Sequence, residues 1–147
     1  MKVVPGLLAS LAVLTLSAPS TAQTTAPRKN TMNIILSVGG QTLTATLTDS
    51  ETARDFLSLL PLTLTLEDYA STEKIAYPPR KLSTKGAPAG STPRAGDLAY
   101  YAPWGNLALF HKDFGYSSGL IILGKLSGDL DVLRKPGQVK VTIETSR

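Results

Sequence analysis

Two seven-residue runs of alternating residues, MNIILSV (Met32–Val38) and QTLTATL (Gln41–Leu47), flank Gly39-Gly40. A period of two puts Met32, Ile34, Leu36 and Val38 on one side of a strand, and Leu43, Ala45 and Leu47 on one side of the next. Both turn residues tolerate positive φ, which favours a two-residue hairpin. The remaining positions of the second run include Thr42, Thr44 and Thr46, as in a strand with one wet face. A lone hairpin of this kind is not stable. It needs further strands to bury its apolar face and to pair its edges.

The rest of the chain supplies them. Thr48-Asp49-Ser50-Glu51 offers helix-capping oxygens and an acid for the first turn. Ala53, Phe56, Leu57 and Leu60 then recur at helical spacing, and Pro61 stops the helix. A helix this short must cap a core. Leu62–Tyr69 returns to period two, with Leu62, Leu64 and Leu66 inward, and Lys74–Tyr77 reads as a short strand before Pro78-Pro79. Arg80–Pro93 is a Gly-, Pro-, Ser- and Thr-rich loop, long enough to be a flap or a mobile segment. Asp97–Ala102 and Leu107–His111 read as strands around the turn Pro103-Trp104-Gly105-Asn106. Leu120–Leu126 is an apolar run suited to a strand buried on both sides. Ser127–Leu133 reads as one helical turn capped by Ser127 or Asp129, and Gln138–Glu144 as a closing strand. Seven or eight short strands with one helix and one turn of a second define a mainly β fold: a closed or nearly closed barrel, helix over one end.

Ahead of the hairpin, Lys2, the apolar stretch Val3–Ser17 and the small residues Ser20-Thr21-Ala22 have the layout of a secretory signal, with Gln23 the first mature residue. Residues 1–22 are therefore expected to be removed, 23–31 to form a disordered lead-in, and 32–147 to form one domain in the periplasm or outside the cell. No membrane association is expected after cleavage. The chain has no cysteine and one histidine, which excludes thiol chemistry, zinc ribbons and His-rich metal sites. No cofactor is implied. The basic residues are scattered rather than striped, which argues against nucleic acid as a partner.

Six of the nine aromatic residues lie between Tyr100 and Tyr116, with the single Trp104 among them. Tyr100 and Tyr101 are neighbours on a strand, so only one of them can face the core. His111, Lys112 and Asp113 offer acid–base groups at a strand end, without a second group anchored by spacing. Glu67, Asp68, Glu73 and Lys74 read as a solvated mixed-charge patch. Arg80 follows a double proline and suits an anionic ligand end.

The runs TARDFLSLLPLTLTLEDYASTEKIAYPPRKL (Thr52–Leu82) and GDLAYYAPWGNLALFHKDFGYSSGLIILGKL (Gly96–Leu126) resemble a family of small bacterial cyclophilin-like proteins. The resemblance implies an eight-stranded closed barrel with helical caps. It does not carry the prolyl isomerase site. Cyclophilins place an Arg, in a Phe-His-Arg run, on the strand after the first helix, where it stabilises the pyramidal prolyl nitrogen. Here that strand is Leu62–Tyr69 and has neither Arg nor His. Phe110-His111-Lys112 looks similar but lies several strands too late.

These readings favour a non-catalytic module that binds a peptide or small organic ligand through Tyr77, Arg80, Tyr100 or Tyr101, Trp104, Phe110 and Tyr116. The alternatives are a prolyl isomerase and an accessory partner of another exported protein.

Overall fold

The computed structural model describes residues 1–6, 10–22 and 31–147. Most of the lead-in expected over 23–31 lies outside them. Ten strands and two helices follow in chain order: β1 (Met32–Val38), β2 (Gln41–Leu47), α1 (Glu51–Ser58), β3 (Leu62–Tyr69), β4 (Glu73–Ala76), β5 (Gly90–Ser91), β6 (Asp97–Tyr101), β7 (Asn106–Phe110), β8 (Ser117–Ser118), β9 (Leu120–Ser127), α2 (Asp131–Arg134) and β10 (Val139–Thr145). Eight of the strands close into an antiparallel barrel in the order β1-β10-β3-β4-β7-β6-β9-β2, while β5 and β8 pair separately. Among the described residues no helix is long and apolar enough to cross a membrane.

The opening hairpin has the expected register, with Met32 opposite Leu47 and Val38 opposite Gln41. Gly39 and Gly40 both have positive φ, 55° and 82°. Closure explains the distant pairings. β1 takes β10 on its free edge, and β2 takes β9. No barrel strand then keeps an unpaired edge.

Alternation sorts side chains into two apolar groups. Ile34, Leu36, Leu43, Leu66, Leu98, Tyr100, Leu107, Leu109, Val141 and Ile143 belong to the filled interior. Ile75, Ala99, Ala108, Phe110 and Leu120 form a second, smaller cluster with Tyr101 and Ile122. They come from alternate positions of β4, β6, β7 and β9, so they lie on the outer surface of the barrel wall. Fully burying one Leu or Phe stabilises by about 1.5–3 kcal/mol, so the interior carries most of the fold.

The ends are closed by helices. Ser50 caps α1, its Oγ accepting from the Ala53 N–H at 3.2 Å, and Ala53 and Phe56 point into the core. At the other end α2 brings Val132 and Leu133 into the core beside the Gly39 turn. α2 has no side-chain cap at Leu130; Asp129 Oδ1 instead accepts from the Asp131 N–H at 2.9 Å.

The loop after β4 is not a free flap. Arg80 donates to both carboxylate oxygens of Asp55 on α1, at 2.9 and 2.8 Å. The Ser83 N–H donates to Asp55 Oδ2 at 2.7 Å, and Thr52 Oγ1 donates to the Ser83 carbonyl at 2.7 Å. The Arg80 guanidinium, helped by the Ser83 N–H, lowers the Asp55 carboxyl to about 2. Leu82 is buried, and its N–H donates to the Tyr100 hydroxyl at 3.0 Å.

Candidate functional site

The outer face of β4, β6 and β7 carries three short cross-strand rows. Glu73 lies between Tyr69 of β3 and Phe110 of β7. Ala108 lies between Ile75 and Ala99. Tyr101 lies between Asn106 and Leu120. In the middle row Ala99 and Ala108 are buried beneath their larger neighbours, and a hollow opens among the side chains of the outer rows. The open cavity here is about 280 Å³. It is lined by Tyr69, Glu73, Ile75, Tyr101, Trp104, Asn106, Phe110 and Leu120, with Phe114, Ser117 and Ser118.

Local backbone structure holds the rim. Between β6 and β7 the Gly105 N–H donates to the Tyr101 carbonyl at 2.8 Å, and Gly105 has φ 73°. The turn is pressed against Gly119, where a Cβ would stand 2.7 Å from the Pro103 ring. That close approach fixes Trp104 over the hollow. Its indole meets the Tyr69 and Tyr101 rings edge-on, both at 5.4 Å between centroids. The opposite rim is the loop after β7. It is tied down by the β5–β8 pair, by the Phe114 N–H donating to the Pro93 carbonyl at 3.2 Å, and by the Ala95 N–H donating to Asp113 at 2.9 Å.

The pocket is apolar on its walls and carries one carboxylate. Glu73 is buried, and its Oε2 accepts from Thr72 Oγ1 at 3.2 Å. Burial pushes its carboxyl above the ordinary range, against that hydrogen bond. The folded protein therefore keeps the Glu73 proton at a pH where the unfolded chain, with the ordinary value of 4.5, releases it. This contribution to stability is present at low pH and is lost as pH rises through the raised value. Glu73→Gln, which cannot ionise, is expected to raise the melting temperature at pH 7 and to change it little at pH 4. A melting temperature lower than wild type at pH 7 would contradict this.

The structure brings together three of the residues singled out in the sequence: Tyr101, Trp104 and Phe110. The others stand elsewhere. Tyr100 is the core member of the tyrosine pair, inside the barrel with its hydroxyl on the Leu82 N–H. Arg80 is engaged by Asp55. Tyr77 and Tyr116 are exposed and outside the pocket lining, Tyr116 lying against Gly90 of β5. The His111, Lys112 and Asp113 set also separates. His111 is buried, and burial with the nearby Arg134, Lys112 and Lys74 charges pushes its imidazole below the ordinary range. Asp113 faces Ala95 and Arg94 instead.

The binding set read from the sequence omits Tyr69, Glu73 and Asn106, and also Phe114, one of the six clustered aromatics. The sequence places Glu73 in a solvated patch, yet strand parity puts it in this wall and its neighbour Lys74 on the other side. The missing signal was the Ala70-Ser71 turn. Both residues have positive φ, 51° and 55°, without the Gly or Asn that usually marks such a turn.

Fold and site define the class: a small closed antiparallel barrel with a filled interior and an aromatic pocket on its outer wall. The family model described as the cyclophilin-like family matches residues 36–144, and the chain belongs to that family. Among solved structures it is similar to a hypothetical protein from Archaeoglobus fulgidus, determined in solution, at 15% identity and a TM-score of 0.58, covering 79% of this chain and 95% of that one. At this identity the likeness concerns the fold alone. No curated protein matches the sequence.

Proposed function

We propose that the protein is an exported, non-catalytic binding module whose pocket on the outer wall of β4, β6 and β7 receives a peptide segment or a small organic molecule. One observation carries this reading. The barrel interior is packed with side chains, while the exposed aromatics Tyr69, Trp104 and Phe114 gather round a single open hollow. Trp104 is 49% exposed there, a costly placement for a lone indole that a ligand would offset. As the only tryptophan, it reports the pocket without labelling. A screen of peptides and metabolites is expected to produce a saturable shift in its emission. No response across the panel would overturn the proposal.

Lack of catalysis rests on the lining. Among the described residues no Arg or Lys lines the pocket, and the Asn106 amide N–H group is engaged by the Leu107 carbonyl at 3.0 Å. A cation aimed at a prolyl nitrogen is what isomerisation requires. A protease-coupled assay on a proline peptide is expected to run at the uncatalysed rate. Acceleration that Trp104→Ala abolishes would reverse the reading. Export rests on the first 22 residues. Mass spectrometry of the extracytoplasmic fraction is expected to find a chain beginning at Gln23, and a full-length chain confined to the cytoplasm would refute it.

A further inference from the structure

Two acceptors in the pocket wall lack a complement among the described residues, and the register keeps them apart: Glu73 stands opposite Phe110, with Asn106 four residues away along β7. Glu73 is 9% exposed and receives its hydrogen bond from the Thr72 hydroxyl, with no Lys or Arg in the lining among the described residues. Asn106 is 2% exposed, and its Oδ1 is buried without a hydrogen-bond partner. The orientation of this amide follows from its surroundings. Nδ2 donates to the Leu107 carbonyl at 3.0 Å, and the flipped amide would set oxygen against oxygen. A buried acceptor without a donor is costly, and a buried carboxylate without a counter-charge more so.

The rest of the lining points to the same complement. Tyr69, Tyr101, Trp104, Phe110 and Phe114 line the same cavity. Aromatic faces are negative and attract cations, most strongly where water is displaced. They also accept an apolar stem. A ligand matched to this wall carries a positive charge for Glu73 and a short hydrocarbon chain for the rings. The cavity of about 280 Å³ has room for one side chain or one small molecule.

We infer that the pocket takes a protonated alkyl amine, its ammonium seated against the Glu73 carboxylate and its stem against the aromatic rings. This rests on the pocket being the binding site. A free amine and the side chain of a lysine present the same group.

The test is a Trp104 fluorescence titration, checked by calorimetry, with n-butylammonium, 1-butanol, tetramethylammonium and acetyl-Gly-Lys-Gly-amide. 1-Butanol keeps the stem and removes the charge; tetramethylammonium keeps the charge and removes the N–H. n-Butylammonium is expected to bind at least about tenfold tighter than either. Glu73→Gln is expected to weaken n-butylammonium by about ten- to a hundredfold and leave 1-butanol unchanged. A peptide tighter than the free amine identifies a lysine side chain as the occupant, and equal or weaker peptide binding identifies the free amine. Equal binding of 1-butanol and n-butylammonium would overturn the amine inference while leaving the pocket as a binding site. Silence from all four probes and from the wider peptide and metabolite panel would remove the binding site itself.

Discussion

Lys74→Ala is expected to lower the stability of the domain by about 3 kcal/mol, the scale for truncating a fully buried side chain and leaving its acceptors unmatched. Lys74 enters the barrel from β4, and its side chain is fully buried. Its ammonium donates to Asp68 Oδ1 at 2.6 Å, to the Lys135 carbonyl at 2.8 Å and to the Gly137 carbonyl at 2.6 Å. Three donors thus meet three acceptors, and they fasten β4 to the segment joining α2 to β10. The Gly137 N–H returns to Asp68 Oδ2 at 2.6 Å and completes the junction. The same contacts, Lys74 first, hold the Asp68 carboxyl below its ordinary range. Removing the ammonium leaves two carbonyls unmatched at the end of the barrel and a void where the stem packed. Lys74→Met keeps most of that stem, so its loss is expected to be smaller, about 2 kcal/mol. Urea unfolding reads both as a shift in midpoint at constant slope. A loss under about 1 kcal/mol for Lys74→Ala would place the residue with ordinary surface pairs and sink this account.

Gly124→Ala is expected to cost about 3 kcal/mol, at the upper end for overpacking a closed structure. Gly124 sits in β9 opposite Leu47 of β2, and beside the bulge where β9 slips against β6. A Cβ there would lie 2.3 Å from the Thr46 carbonyl oxygen and 2.9 Å from the Leu47 Cα. Both atoms are backbone, so no rotamer change relieves the clash and the two strands must part. In a closed barrel that movement passes to neighbouring pairs rather than to a free edge. Gly115→Ala is the control. Gly115 has ordinary φ and no atom within 4 Å of its Cβ position, so its change is expected within about 0.5 kcal/mol. Equal stability of the two variants would mean that β2 and β9 are free to separate.

These two residues mark how far the sequence was legible. Lys74 reads as surface in the sequence, because a lysine beside acids in a short polar stretch normally is. Nothing local reports that the chain from Lys135 to Gly137 returns to meet it. Gly124 was read as one letter of an apolar run. Its role follows from which backbone passes it, and β2 lies far away in the chain. The hairpin Met32–Leu47, by contrast, was fully readable, as was the helix stopped before Pro61. Both depend on contacts between residues close in sequence. Strand boundaries shifted by one where a turn lacked its usual residues: β4 runs Glu73–Ala76 rather than Lys74–Tyr77.

The aromatic segment divides along the same line. Alternation alone determined that Tyr100 and Tyr101 point opposite ways, since the pleat is a local property of the backbone. It also determined that the chain is a mainly β barrel, because period two recurs from Met32 to Glu144 with only short helical segments between strands. Which tyrosine is core, which aromatics meet, and that Glu73 and Asn106 share their hollow were decided by tertiary structure. The pocket is assembled across β3, β4, β6 and β7 by pairing register, and register between distant strands is set by barrel closure rather than by any one strand's residues.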